Sequence, residues 1–183
     1  MFKIDLLRYP DDSDWLRCKE LALNTVGKHA VNMPSEEWKK KILDAGHSPI
    51  RTLMFTVRME IPYYISVHFV RHKVGVEHYV QSQRNDRQSD YDRTKAPQDS
   101  PVTHIMDLNA AALIEMSHRR LCGQADPMTH LAMFQICSEV IKTNPEFTEV
   151  LIPMCEYRGE CHEMNSCGAF KRLGEVLGNV EEQ

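Results

Sequence analysis

The stretch FVRHKVGVEHYVQSQRNDR, residues 69–87, concentrates the side chains that bind anions. Arg71, His72 and Lys73 stand side by side. Arg84 and Arg87 follow, with Gln81, Ser82, Gln83 and Asn85 among them. A guanidinium grips a phosphate through paired hydrogen bonds, and a serine hydroxyl with exposed backbone N–H groups completes such a site. The competing reading is a solvated surface neutralised by Glu77, Asp86, Asp90 and Asp92. It fits less well here, because Arg71 and His72 continue an apolar helical pattern and Gln81 to Gln83 follow an apolar strand pattern. The whole chain has a formal charge of −4, so attraction for an anion has to be local.

A second group of reactive residues lies in CEYRGECHEMNSC, where Cys155, Cys161 and Cys167 recur every six residues and His162 adjoins the middle one. Three thiolates in a polar, glycine-containing loop supply most of a tetrahedral zinc site, with Cys122 or His162 as the fourth ligand. This gives an expectation of a structural zinc held by Cys122, Cys155, Cys161 and Cys167, ahead of an iron–sulfur cluster. Reduced, partly buried thiols are the alternative.

The elements that must position these residues read as α+β, a small antiparallel sheet with flanking helices. Ser13 can cap a helix to about Val26 that Gly27 stops, and a second helix spans about Ser35 to Ala45. Leu53, Phe55, Val57 and Met59 alternate with polar residues, which predicts a half-buried strand from Arg51 to Ile61. Pro62 suits the first turn of a helix to about His72, and Val74 to Val80 suit a second strand. The polar run from Arg84 to about Pro101 reads as a loop. Asp107 or Asn109 then opens a helix through Arg120, and Asp126–Pro127 opens another carrying Leu131, Phe134, Cys137 and Ile141. A last short helix is predicted for about 169–177.

The motif HFVRHKVGVEHYVQSQRND resembles the signature of the flavin-dependent thymidylate synthases, an Arg-His-Arg triplet followed after a short spacer by Ser and Arg. Arg71, His72 and Lys73 match the triplet, and Gln81, Ser82, Gln83 and Arg84 match the later part. AGHSPIRTLMFTV is similar to the family's Gly-His segment leading into a strand, with His47 and Pro49 as counterparts. DLNAAALIEMSHRRL is similar to its later helix, with Asn109 and Arg120 at the matching spacing. The resemblance covers roughly residues 45–142.

The resemblance implies a homotetramer with active sites between subunits, binding FAD and dUMP and using methylenetetrahydrofolate and NADPH to make dTMP. On that reading His47, Arg71, His72 and Lys73 contact the flavin, with Arg71 and Lys73 also near phosphate. Gln81, Ser82, Gln83 and Arg84 hold the dUMP phosphate end. Arg120 approaches the pyrimidine and, with Ser82, stands among the catalytic residues. Departures are plain: Lys73 replaces an arginine and its bidentate fork, Arg51–Thr52 stand where the family has Glu-His, and the spacer to Ser82 is one residue longer. They keep open a divergent member that modifies or binds another pyrimidine nucleotide, without flavin. A zinc module binding nucleic acid through Arg71, Lys73, Arg84, Arg87 and Arg93 is less favoured, because Asp86, Asp90 and Asp92 interrupt any basic face.

The chain's 183 residues, 42% hydrophobic and 26% charged, exclude a disordered protein and suit one domain, 1–183, with a cysteine-rich loop at 153–168. No apolar run approaches the roughly 20 residues of a bilayer span, and the first residues lack signal-peptide character. A cytoplasmic enzyme without a membrane partner is the expectation.

Overall fold

A computed structural model describes residues 1–84, 86 and 92–170. Four strands, β1 (Lys3–Arg8), β2 (Met54–Pro62), β3 (Val76–Val80) and β4 (Pro101–Asn109), form an antiparallel sheet in the order β1-β2-β4-β3. Helices α1 (Asp12–Asn24), α2 (Glu36–Asp44), α3 (Tyr63–Phe69), α4 (Ala110–Arg120), α5 (Pro127–Thr143) and α6 (Met154–Arg158) complete it. The α+β expectation holds. Among the described residues, no helix is long and apolar enough to cross a membrane.

The sheet's two faces follow from alternation. Phe55, Val57, Met59 and Ile61 of β2 sit opposite Leu108, Met106, His104 and Val102 of β4, and all eight are buried. The register puts Thr56 opposite Asp107 on the other face, where the Thr56 hydroxyl donates to Asp107 at 2.7 Å. Ile4 and Leu6 of β1 pack against the core from the sheet's edge. Burying this many large apolar side chains, each worth roughly 1.5–3 kcal/mol, is what holds the layers together.

Several sequence readings need correction. The helix starting near Ser13 is capped instead by Asp11, whose carboxylate accepts from the Ser13 and Asp14 backbone N–H groups while Asp14 reaches back in a capping box. β1 was not anticipated. The residues before Asn109 are not loop: Val102, His104, Met106 and Leu108 alternate with half-exposed residues and form the sheet's second central strand. The polar look of His104 hid the period. Helix α3 ends at Phe69 rather than His72, leaving Val70 to Gly75 as a turn. Asn109 is the cap of α4, accepting from the Ala112 N–H at 2.9 Å. Of the helix predicted over 169–177, residues 171–177 lie outside the described residues, as do Asn85, Arg87, Asp90 and Tyr91.

Candidate functional site

The turn from Val70 to Gly75 carries the Arg-His-Lys triplet, and the fold grips it from three sides. His78 Nε2 donates to the His72 carbonyl at 2.7 Å. Arg120 donates through Nε to His72 Nε2 at 3.0 Å and through a terminal nitrogen to the His68 carbonyl at 2.7 Å. The Asn109 backbone N–H donates to the Gly75 carbonyl at 2.9 Å. Gly75 has φ of +72°, and a Cβ there would stand 2.5 Å from Asn109 Nδ2, so both its conformation and the close approach require glycine.

Over this turn opens a cavity of about 470 Å³, lined by Arg51, Arg71, His72, Lys73, Val74, Gly75, Asn109, Ala111, Ala112 and Glu115. Its three cations, Arg51, Arg71 and Lys73, face one carboxylate, Glu115. The first turn of α4 also reaches it through Ala111 and Ala112, adding the positive end of a helix dipole. The cavity is therefore suited to an anion such as phosphate. His72 does not add to its charge. Burial, followed by the Arg120 guanidinium beside it, pushes the imidazole pKa down to about 4. The triplet thus offers two cations flanking a neutral ring.

The remaining motif residues lie elsewhere. Gln81 extends the pairing of β3 with β4: its N–H donates to the Thr103 carbonyl at 2.8 Å and its Oε1 accepts from the Thr103 N–H at 3.1 Å. The exposed Arg84 forms a two-point ion pair with Asp86, at 2.9 Å and 2.8 Å, and its backbone N–H donates to Ser82 Oγ at 3.3 Å. Six residues of extended chain separate Gly75 from Gln81, about 20 Å at a strand's rise per residue. Gln81, Ser82, Gln83 and Arg84 do not line the triplet's cavity.

His47 is exposed and precedes the 3-10 turn Ser48–Thr52; it is Arg51 of that turn that reaches the cavity. Arg120 stands behind His72 rather than on the cavity wall, with burial, then Arg71 and Arg119, lowering its pKa. Arg51, Gly75 and Glu115 were not singled out as site residues from sequence. The positive φ of Gly75 was signalled only by Gly between two valines, and the contribution of Glu115 only by its place one helical turn after Ala111.

The cysteines line a separate cavity of about 240 Å³, where Cys122, Cys155, Cys161 and Cys167 share the walls with His118, Arg119, Arg158, His162 and Glu163. Among the described residues, no three His, Cys, Asp or Glu side chains are arranged to hold a metal ion. The expectation of zinc on Cys122, Cys155, Cys161 and Cys167 is therefore corrected. The thiols come from three pieces of chain, the turn after α4, helix α6 and the loop beyond it, and border one cavity. Regular spacing in sequence did not impose tetrahedral placement.

A four-stranded antiparallel sheet in the order β1-β2-β4-β3 with these flanking helices defines a class of fold that is already represented among solved structures. The chain is similar to the crystal structure of a UMP/dUMP methylase, PolB, from Streptomyces cacaoi bound with 5-Br dUMP. The TM-score is 0.62 at 12% identity, over 83% of this chain and 97% of the other. At that identity the likeness establishes the shared fold. No family model matches the chain, and no curated protein matches it in sequence.

Proposed function

We propose that this chain is a single-domain enzyme, 1–183, that methylates a uridine nucleotide, with dUMP the first substrate to test. The observation that carries the reading is the cation-lined cavity at Arg71–Lys73, on a fold shared with a UMP/dUMP methylase. Arg71 and Lys73, helped by the start of α4, hold phosphate. Arg120 holds the His72 ring in place from behind. The resemblance implies a homotetramer with sites between subunits, so that a complete site takes the triplet from one copy and Ser82 with Arg84 from another; their separation from the triplet by the length of β3 fits that arrangement.

Three cations and a glycine turn with no room for a side chain fit the phosphate-bearing part of FAD. FAD held by Arg51, Arg71 and Lys73 would supply hydride chemistry, with NADPH as its reductant and methylenetetrahydrofolate as the source of the one-carbon unit. The chain's own work is to bind, orient and exclude water. A second reading is favoured by one observation: Arg51 places a cation in the cavity where the resembled family carries a glutamate. A site altered in this way suits a flavin-free enzyme or binder of another pyrimidine nucleotide.

The visible spectrum of gently purified protein, before and after FAD and then dUMP, tests both. Flavin bands that survive gel filtration and shift with dUMP support the flavin-dependent methylase. A colourless protein that binds dUMP by calorimetry supports the second reading. Binding of neither FAD nor dUMP overturns the first reading, and failure to bind UMP, dCMP and dTMP as well overturns the second.

A further inference from the structure

Behind the triplet runs a line of polar groups that the cavity itself does not use. Ser66 Oγ lies 3.1 Å from His104 Nδ1, His104 Nε2 lies 3.0 Å from His78 Nδ1, and His78 Nε2 lies 2.7 Å from the His72 carbonyl. Ser66 and His104 are 1% and 0% exposed. A serine and an imidazole at such depth cost stability unless every polar atom finds a partner, and an apolar residue at 104 would continue the Val102–Met106–Leu108 face. The far end of this line is the backbone of the functional turn.

The chemistry of the last link sets the direction of the others. A carbonyl only accepts, so His78 Nε2 carries a proton and donates. In a neutral His78, Nδ1 must then accept, so His104 Nε2 carries its proton and donates. In a neutral His104, Nδ1 accepts from the Ser66 hydroxyl. On the opposite side of the turn, Arg120 Nε can only donate, so His72 Nε2 is a lone pair and the ring's one proton sits on Nδ1. His72 Nδ1 has no hydrogen-bond partner among the described residues, and His72 lines the cavity.

We propose that Ser66, His104 and His78 form a one-way hydrogen-bond relay that positions the His72 backbone, and that His72, held by Arg120 in its other tautomer, meets its ligand from that position as a neutral Nδ1–H donor. The ligand atom it fits is a neutral acceptor, a carbonyl oxygen or ring nitrogen, between the phosphate-binding Arg71 and Lys73. Burial, with His78 as a lesser contributor, pushes the His104 pKa down to about 4, and the Phe69 ring packs beside it at 79° with centroids 6.4 Å apart. Ser66, His104 and His78 are positioning residues. The relay stands on hydrogen-bond geometry alone; only the ligand's identity rests on the nucleotide reading.

Nitrogen NMR of protein labelled with ¹⁵N-histidine at pH 7 reads the tautomers directly. The expected result is Nε2–H neutral rings for His78 and His104 and an Nδ1–H neutral ring for His72. An Nδ1–H His104, or a cationic ring at any of the three, overturns the relay. His78→Gln keeps a donor at the position of Nε2, whereas His78→Leu removes it. The leucine variant is expected to shift the His72 ring signals and to weaken dUMP binding roughly tenfold, the loss of one hydrogen bond. The glutamine variant is expected to stay within about twofold. Equal loss in both variants, or weaker binding with unmoved His72 signals, overturns the positioning role. Should wild-type protein ignore dUMP, the nucleotide reading fails while the tautomer result decides the relay.

Discussion

Two halves of one motif, a dozen residues apart, are built in opposite ways. At Arg71–Gly75 the fold holds the backbone through His78 and Asn109 and one side chain through Arg120, so the cavity is formed before any ligand arrives. At Ser82–Arg84 the chain has left the sheet, and Arg84 is held by Asp86 only two residues away. A local ion pair between exposed side chains is worth about 0–1 kcal/mol and is readily exchanged for a better anion. The difference teaches where preorganisation stops. On the proposed reading, the first half needs only its ligand and the second a surface from another copy.

The largest effect expected of the anchored half comes through pH. His104 has a pKa lowered to about 4, against a histidine value near 6.5 in an unfolded chain. Between those values the unfolded state takes up a proton that the native state refuses, so stability is complete above about pH 6.5 and falls as pH drops toward 4. The loss attributable to His104 is on the order of 3 kcal/mol, read from urea unfolding at pH 7 and pH 4.5 against the same pair in His104→Phe. An unchanged pH dependence in the variant would mean His104 is not where the proton is refused.

Next in size, Arg71→Ala is expected to weaken dUMP binding by about 1.5–3 kcal/mol with little loss of melting temperature, since its charged bond is to ligand. Calorimetry at fixed salt checks it; a variant that unfolds would make Arg71 structural instead. Gly75→Ala should cost about 1–3 kcal/mol of stability, because the left-handed backbone and the Asn109 amide both oppose a Cβ. The smallest expected stability effect marks the unanchored half: Arg84→Ala should change folding stability by less than about 0.5 kcal/mol. Its nucleotide affinity should nevertheless fall in the assembled protein and not in a dissociated one, which analytical ultracentrifugation paired with calorimetry would separate. Equal behaviour of Arg71→Ala and Arg84→Ala in every assay would erase the distinction between the halves.

Much of the frame was legible from residue types. Strand β2 announced itself through Phe55, Val57 and Met59, with Leu53 just ahead of it, and helix α5 through Asp126–Pro127 and its apolar stripe, because period and capping are local properties. The triplet was legible as an anion site for the same reason: side-chain chemistry travels with the sequence. Strand β4 was missed because His104 interrupts its apolar series, and a histidine is recognised as an inward residue only once Ser66 and His78 stand beside it. The metal expectation failed on the converse ground. Cysteines at regular spacing lie on a short helix and the loop beyond it, and nothing local forces their sulfurs toward a common centre.

By itself, then, the sequence determined the segments with a clear period or cap, such as β2 and α5, and which residue types can bind phosphate, since both depend on neighbours a few positions away. Tertiary structure alone decided which of those residues share a cavity. Arg51 enters it from a turn about 20 residues upstream of the triplet, and burial, with Arg120 from some 48 residues downstream as the second cause, keeps the His72 ring neutral. Distances between such residues are set by sheet register and by burial of a common core, and a protonation state follows from what the fold places against the ring.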